Sequence, residues 1–134
     1  MTLTTEQIAI IAKALSDPIR LRILDLVQAG YDQLSTSPPV ACCIGGVCVC
    51  DIQDALDMAQ SKVSYHLREL KQASLLHETK QGKWNFYSIN MDTLQAFQRA
   101  IADRYVTDYE VVANGCCLPN AMISNKESRN GSPL

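Results

Sequence analysis

The residues best suited to chemistry in this chain are its six cysteines. They fall in three tight groups, Cys42-Cys43, Cys48-Val49-Cys50 and Cys116-Cys117. Thiolates are the preferred ligands of soft ions such as trivalent arsenic or antimony, cadmium and lead. Adjacent cysteines rarely bridge each other, and no basic segment followed by an apolar run and a cleavage site opens the chain. A cytoplasmic location is therefore expected, where thiols stay reduced. The groups then read as ligand clusters rather than as a disulfide framework. Two alternatives stand beside that reading: a thiol switch that oxidises to a disulfide, and unligated thiols, above all for Cys116 and Cys117 near the tail.

Cys48 and Cys50 stand at the mouth of a segment with helical character. Residues i and i+2 of a regular helix do not face each other, whereas in an extended chain they do. An ion taking both sulfurs is therefore expected to unwind or distort the first turn of that helix. Two thiolates also leave a trigonal ion one ligand short. Cys43 and Cys42 lie nearby on an irregular loop, and Cys116 and Cys117 follow the last helix; either pair can complete the site. Zinc suits the chain less, because it usually takes four ligands, often including His. His66 and His77 both fall in a segment read below as a DNA-binding surface.

The elements that must position these thiols are mainly helical. Thr4 or Thr5 can cap a first helix carrying Ile8, Ile11 and Leu15. Asp17 caps a second, with Pro18 at its first position, and this helix ends at Ala29-Gly30. Residues 31–47 form a long connection rich in Ser, Pro and Gly. A third helix is expected from about Val49 to Leu56 or Met58. A fourth, with Ser61 as its cap, runs from Lys62 to about Gln72, turning Val63, Leu67 and Leu70 inward and Ser64, His66 and Arg68 elsewhere. Leu75–Gln81 and Lys83–Ile89 read as two strands reversing at Gly82. Asp92 caps a last helix containing Leu94, Phe97, Ile101 and Tyr105. Residues 118–134 read as disordered. The expected organisation is a DNA-binding and dimerisation domain over residues 1–109 and a flexible Cys-containing tail over residues 110–134.

Two short helices joined by a tight turn and followed by a hairpin read as a winged helix-turn-helix. In such a unit the second helix enters the major groove with its N-terminal residues at base edges. Gln60, Ser61, Lys62, Ser64, Tyr65 and His66 occupy that position, Arg68 suits phosphate, and Lys80 and Lys83 project from the wing. The net charge is −2, so bulk charge does not mark a nucleic-acid binder. Between Gln60 and Tyr87, however, Lys62, Arg68, Lys71, Lys80 and Lys83 face only Glu69 and Glu78. Taken singly, these features equally describe a solvated helix face and an ordinary hairpin; their order favours DNA. No run of 18 uncharged apolar residues points to a membrane. The absence of a Cys-X-X-Cys in a βαβ setting, or of a phosphate-cradling loop, points away from an enzyme.

The order of parts resembles the ArsR–SmtB family of metal-sensing repressors. Ser16-Asp17-Pro18-Ile19-Arg20-Leu21-Arg22-Ile23-Leu24 is similar to the family's second-helix signature. Val47-Cys48-Val49-Cys50-Asp51-Ile52 is similar to its metal-binding box, and Gln60-Ser61-Lys62-Val63-Ser64-Tyr65-His66-Leu67 to its recognition helix. Gln81-Gly82-Lys83-Trp84 and the Tyr87 strand match its wing. The resemblance covers roughly residues 5–106. It implies a winged-helix homodimer, paired through its first and last helices, that leaves a palindromic operator when As(III) or Sb(III) binds, with Cd(II) or Pb(II) as the alternative inducer. The chain departs from the arsenic-sensing pattern in lacking a third Cys between Asp51 and Ala59 and in carrying a longer loop with its own Cys pair. The His-containing zinc site on the family's last helix has no counterpart here: Asp103 and Asp108 are present without a His.

Overall fold

A computed structural model describes residues 2–34, 46–106, 109–111 and 117–119. The chain divides into two units, Met1–Phe97 and Gln98–Leu134.

The first unit opens with helix α1, Thr5–Ala14. Its start is a reciprocal capping box: the Gln7 amide donates to Thr4 Oγ1 at 3.1 Å, and the Thr4 amide donates to Gln7 Oε1 at 2.8 Å. Helix α2, Pro18–Ala29, starts as its sequence predicts, with the Asp17 carboxylate accepting from the Ile19 amide at 2.7 Å. It ends where Gly30 takes φ 70°. A 3₁₀ turn, Gly30–Gln33, follows, so the long connection begins in ordered structure.

Strand β1, Val47–Cys48, runs directly into helix α3, Val49–Leu56. Asp57, in the left-handed region at φ 53°, closes α3. Helix α4, Gln60–Gln72, then begins from Ala59 without a side-chain cap. The expected cap, Ser61, lies inside its first turn. The amides of Lys62 and Val63 already bond to the Ala59 carbonyl at 3.1 Å each, so the helix starts two residues earlier than Ser61 signals. Its end is a Schellman arrangement. Ser74 sits at φ 62°, its amide donates to the Lys71 carbonyl at 2.9 Å, and the Leu75 amide donates to the Leu70 carbonyl at 3.0 Å.

Strands β2, Leu76–Gln81, and β3, Trp84–Ile89, form the expected hairpin with Gln81 opposite Trp84. Gly82 takes φ 61° at the reversal, the region Gly enters without steric cost. The wing has a third strand that the sequence reading did not include. β1 pairs antiparallel with β3, Val47 opposite Tyr87 and Cys48 opposite Phe86, so the sheet order is β1-β3-β2. Helix α5, Met91–Tyr105, follows, with Asp92 within its first turn rather than ahead of it. The Asn90 side chain instead anchors the entry by donating to the Ser74 carbonyl at 2.9 Å.

Ile23, Ile52, Val63, Leu70, Leu75, Val47 and Cys48 are sealed from solvent. They come from α2, β1, α3, α4 and the residue before β2, so one core fastens the thiol-bearing junction to the helix-turn-helix. Among the described residues no helix is long and apolar enough to cross a membrane. In the second unit, strands β4, Tyr109–Val111, and β5, Cys117–Pro119, pair antiparallel. Leu118 and Pro119, expected to begin an irregular tail, thus belong to a strand. The rest of that expectation, residues 120–134, lies outside the described residues.

Gly46 shows how tightly β1 is seated. Its φ is 92°, and a Cβ there would lie 2.6 Å from the Tyr87 carbonyl oxygen. Gly46→Ala is expected to destabilise the fold by roughly 1–3 kcal/mol, because the strain and the clash fall on backbone. A urea unfolding midpoint at wild-type level would contradict this account of the β1–β3 junction.

Candidate metal centre and nucleic-acid interface

The thiols meet where strand becomes helix. Cys48 ends β1 and is also the N-cap of α3, with extended backbone at φ −70° and ψ 144°, while Cys50 lies in the first helical turn. This geometry brings the two Sγ atoms to 2.9 Å. The expectation that the i, i+2 spacing must be unwound is therefore corrected: Cys48 is not in the helix, so the rule for two helical residues does not apply. The first turn of α3 remains regular with the sulfurs together.

Two oxygen groups adjoin the sulfurs. The Tyr31 hydroxyl, from the 3₁₀ turn, accepts from the Cys48 amide at 3.0 Å and donates to Asp51 Oδ2 at 2.6 Å. Ligand atoms of Cys48, Cys50 and Asp51 all lie within 4.8 Å of one another. Cys48 is fully buried and Asp51 is 8% exposed. The Cys50 thiol is pushed up to about 12, first by burial, then by its bond to Cys48 and by the negative charges that Cys48 and Asp51 would carry. Burial and the Asp51 bond likewise raise Tyr31. A bound cation reverses this balance, since it displaces thiol protons and neutralises the crowded charge. Two sulfurs and one carboxylate oxygen fit a thiophilic ion.

Of the other candidate ligands, Cys42, Cys43 and Cys116 lie outside the described residues. Cys117 is placed only as backbone, in β5. Asp51 and Tyr31 were not singled out as site residues. Asp51 stood inside the quoted box, but Tyr31 is 17 residues from Cys48, and no local pattern joins them.

The second surface is the outer face of α4 and the wing. Gln60, Ser61, Lys62, Tyr65 and Arg68 are exposed, and Ser64 is half-buried. Arg68 stands 5.8 Å from the centroid of the Tyr65 ring. Lys80 and Lys83 are exposed on the hairpin, with the Lys83 ammonium 5.0 Å from the Trp84 ring. A second network ties the wing to α4: the Lys71 ammonium and the Tyr87 hydroxyl both donate to Glu78, at 2.5 and 3.0 Å.

His66 does not belong to this face. It is 5% exposed and turned inward, where its Nδ1 lies 3.1 Å from Arg20 Nη1. A guanidinium only donates, so Nδ1 accepts and the imidazole is neutral. The physical reason is spacing: positions 63, 66, 67 and 70 form one helical stripe, and Val63, Leu67 and Leu70 are its other members. Arg20 is itself buried and reaches past α2, donating from Nε to the Ala14 carbonyl at 2.7 Å and from Nη2 to the Lys13 carbonyl at 3.3 Å. One side chain thus joins the end of α1, α2 and the recognition helix.

A helix pair with a basic, solvated second helix and a flanking antiparallel wing defines a winged helix-turn-helix regulator. A family model described as "Bacterial regulatory protein, arsR family" matches residues 43–78, a span that holds the thiol junction, α3, α4 and the start of β2. An HTH-type transcriptional regulator of Methanocaldococcus jannaschii is 38% identical over 90 residues, covering 67% of this chain and 85% of that protein. The arsenic resistance transcriptional regulator ArsR2 of Pseudomonas putida is 30% identical over 102 residues, covering 68% and 76%. A solution structure of a homodimeric winged helix-turn-helix domain from Mycobacterium bovis, a possible ArsR-family regulator, aligns with TM-score 0.54 and 27% identity over 75% of this chain and 82% of that one. The chain belongs to the ArsR family of transcriptional regulators. Family and fold are those of regulators, not enzymes.

Proposed function

We propose that the chain is a homodimeric repressor that holds operator DNA with α4 and the wing and releases it when trivalent arsenic or antimony binds cysteine thiolates. The observation that carries this reading is the pair of sulfurs 2.9 Å apart at the start of α3, the helix that leads into α4. In this reading Cys48 and Cys50 supply two thiolates, and Cys42-Cys43 or Cys116-Cys117 supplies the third. Gln60, Ser61, Ser64 and Tyr65 face the bases, while Lys62, Arg68, Lys80 and Lys83 take phosphates. His66 is left out of that set because its ring is committed to Arg20.

The coupling runs through the junction itself. Cys48 is hydrogen-bonded strand on the wing side and helix cap on the α3 side. Ligation there bears on both DNA-contacting parts at once. An inducer that prefers one arrangement of the junction weakens DNA binding, and DNA weakens inducer binding by the same factor. The arsenic resistance named for the Pseudomonas putida relative supports the choice of ion. Dimerisation is supported by the homodimeric Mycobacterium bovis relative and by apolar side chains left on the surface of the first unit. Ile10 of α1 is 54% exposed and Met91 of α5 is 53% exposed, a state that burial against a second copy relieves.

The test is fluorescence anisotropy of labelled promoter DNA with the full chain, titrated with arsenite, antimonite, cadmium, lead and zinc. Release at the lowest concentrations by arsenite and antimonite is the expected result. Binding that no thiophilic ion reverses would rule the proposal out.

A further inference from the structure

The thiol strand meets the wing along one row of residues. Val47, next to Cys48 in β1, stands opposite Tyr87 of β3, and Tyr87 stands opposite Glu78 of β2. Directly opposed side chains share one face of a sheet. Val47 is sealed from solvent and Tyr87 is buried. The backbones are equally close: a Cβ at Gly46 would lie 2.6 Å from the Tyr87 carbonyl oxygen. A shift of β1 toward β3 therefore has to move Tyr87. Farther along the row, the Tyr87 hydroxyl donates to Glu78 Oε2 at 3.0 Å, and the Lys71 ammonium donates to Oε1 at 2.5 Å. Lys71 belongs to the last turn of α4. Both oxygens of one carboxylate are thus engaged, one by the strand beside the thiols and one by the recognition helix. The Lys71 bond, working against burial, keeps the Glu78 carboxyl below its ordinary range, so at neutral pH it can accept from both donors.

We infer that Tyr87, Glu78 and Lys71 form a positioning relay that carries a change at the thiol junction to the recognition helix, and so determines how strongly the inducer weakens DNA binding. The relay rests on the repressor function proposed above and adds the residues that transmit its signal. The β1-β3-β2 ladder takes a displacement as far as the hairpin, and the two bonds to Glu78 take it on to α4. DNA binding needs the wing and α4 in a fixed relation, because each contacts its own part of the site. Without the Tyr87 hydroxyl or the Lys71 ammonium, the junction can rearrange while α4 stays in place. The three residues therefore act on the coupling between inducer and DNA, not on either affinity alone. A simple brace between wing and helix would behave differently: its loss would weaken operator binding equally with and without inducer.

The experiment measures operator affinity of the full chain by anisotropy, without arsenite and at saturating arsenite. The ratio of the two affinities is the coupling factor. Arsenite binding to the DNA-free chain is read separately by thiolate absorption. Tyr87→Phe keeps the ring and removes the hydroxyl, and Lys71→Met keeps the stem and removes the charge. Each should lower the coupling factor about 2- to 30-fold and leave arsenite binding to the free chain as in wild type. Lys71→Arg keeps a charged donor for Glu78 and should hold the factor near wild type. The double variant Tyr87→Phe, Lys71→Met should lose little more than the worse single variant, because both act through one carboxylate. A coupling factor unchanged in both single variants, or losses that add in the double variant, would overturn the relay. The Lys71 side chain is 46% exposed, so Lys71→Met decides the matter if Tyr87→Phe fails to fold. Arsenite that does not release the wild type removes the repressor function itself, and the relay with it.

Discussion

Cys48→Ser is expected to bind operator as wild type does and to require at least about 100-fold more arsenite for release. The magnitude follows from the ligand set. Even outer partners of a metal site are worth about 10–100-fold in affinity, and Cys48 supplies a ligand atom directly. Folding should survive because Cys48 is the N-cap of α3 and makes no side-chain capping bond there, while serine is among the preferred caps. Its oxygen is smaller and harder than sulfur, so it keeps the helix start but not the soft ion. Cys50→Ser should act in the same direction. The measurement is the arsenite concentration that half-releases labelled operator, with thermal melting as the control. Normal arsenite release by Cys48→Ser would refute the site.

The second large effect is expected at Arg20. Its guanidinium spans the Ala14 and Lys13 carbonyls and the His66 ring. Arg20→Ala leaves those acceptors without their donor in a buried place and should cost about 3 kcal/mol of stability. Arg20→Lys should recover little, since a single ammonium cannot reproduce three divergent N–H directions. The same contact fixes a pH dependence. Burial, helped by the Arg20 and Lys62 charges and opposed by Asp17 and Glu69, holds His66 below its ordinary 6.5. The unfolded chain therefore binds the proton more readily than the folded one. His66's stabilising contribution is complete above about pH 6.5 and declines as the pH falls from there toward its lowered folded value. His66→Gln should flatten that limb of the stability profile. Unfolding free energies measured between about pH 5 and 8 in both proteins check it, and identical slopes would contradict the buried neutral imidazole.

These two sites also mark what was legible in the chain. Local signals carried far: Asp17-Pro18 started α2, Gly82 turned the hairpin, and the stripe of Val63, Leu67 and Leu70 oriented α4. The same stripe contained the answer for His66, three residues from Val63, but its polar ring led it to be grouped with the exposed face. Arg20 was legible in the same way, three and seven residues from the buried Ile23 and Val27. The strand at Val47–Cys48 was not. Two residues have too little periodicity to declare a strand, and its partner β3 lies some 40 residues on, beyond any local pattern. That strand decides the thiol geometry, because it makes Cys48 extended and lets its sulfur meet that of Cys50. Tyr31 was hidden for the same reason, its role depending on a contact across the long connection.

The central claim is that occupation of the Cys48–Cys50 site and loss of operator are one event. Operator-bound dimer titrated with arsenite, reading arsenic–thiolate absorption and operator anisotropy in the same cuvette, tests it most directly. The account predicts two curves with a common midpoint, both displaced together in Cys48→Ser. Thiolate absorption that saturates while the operator stays bound, or release that precedes it, would contradict the account.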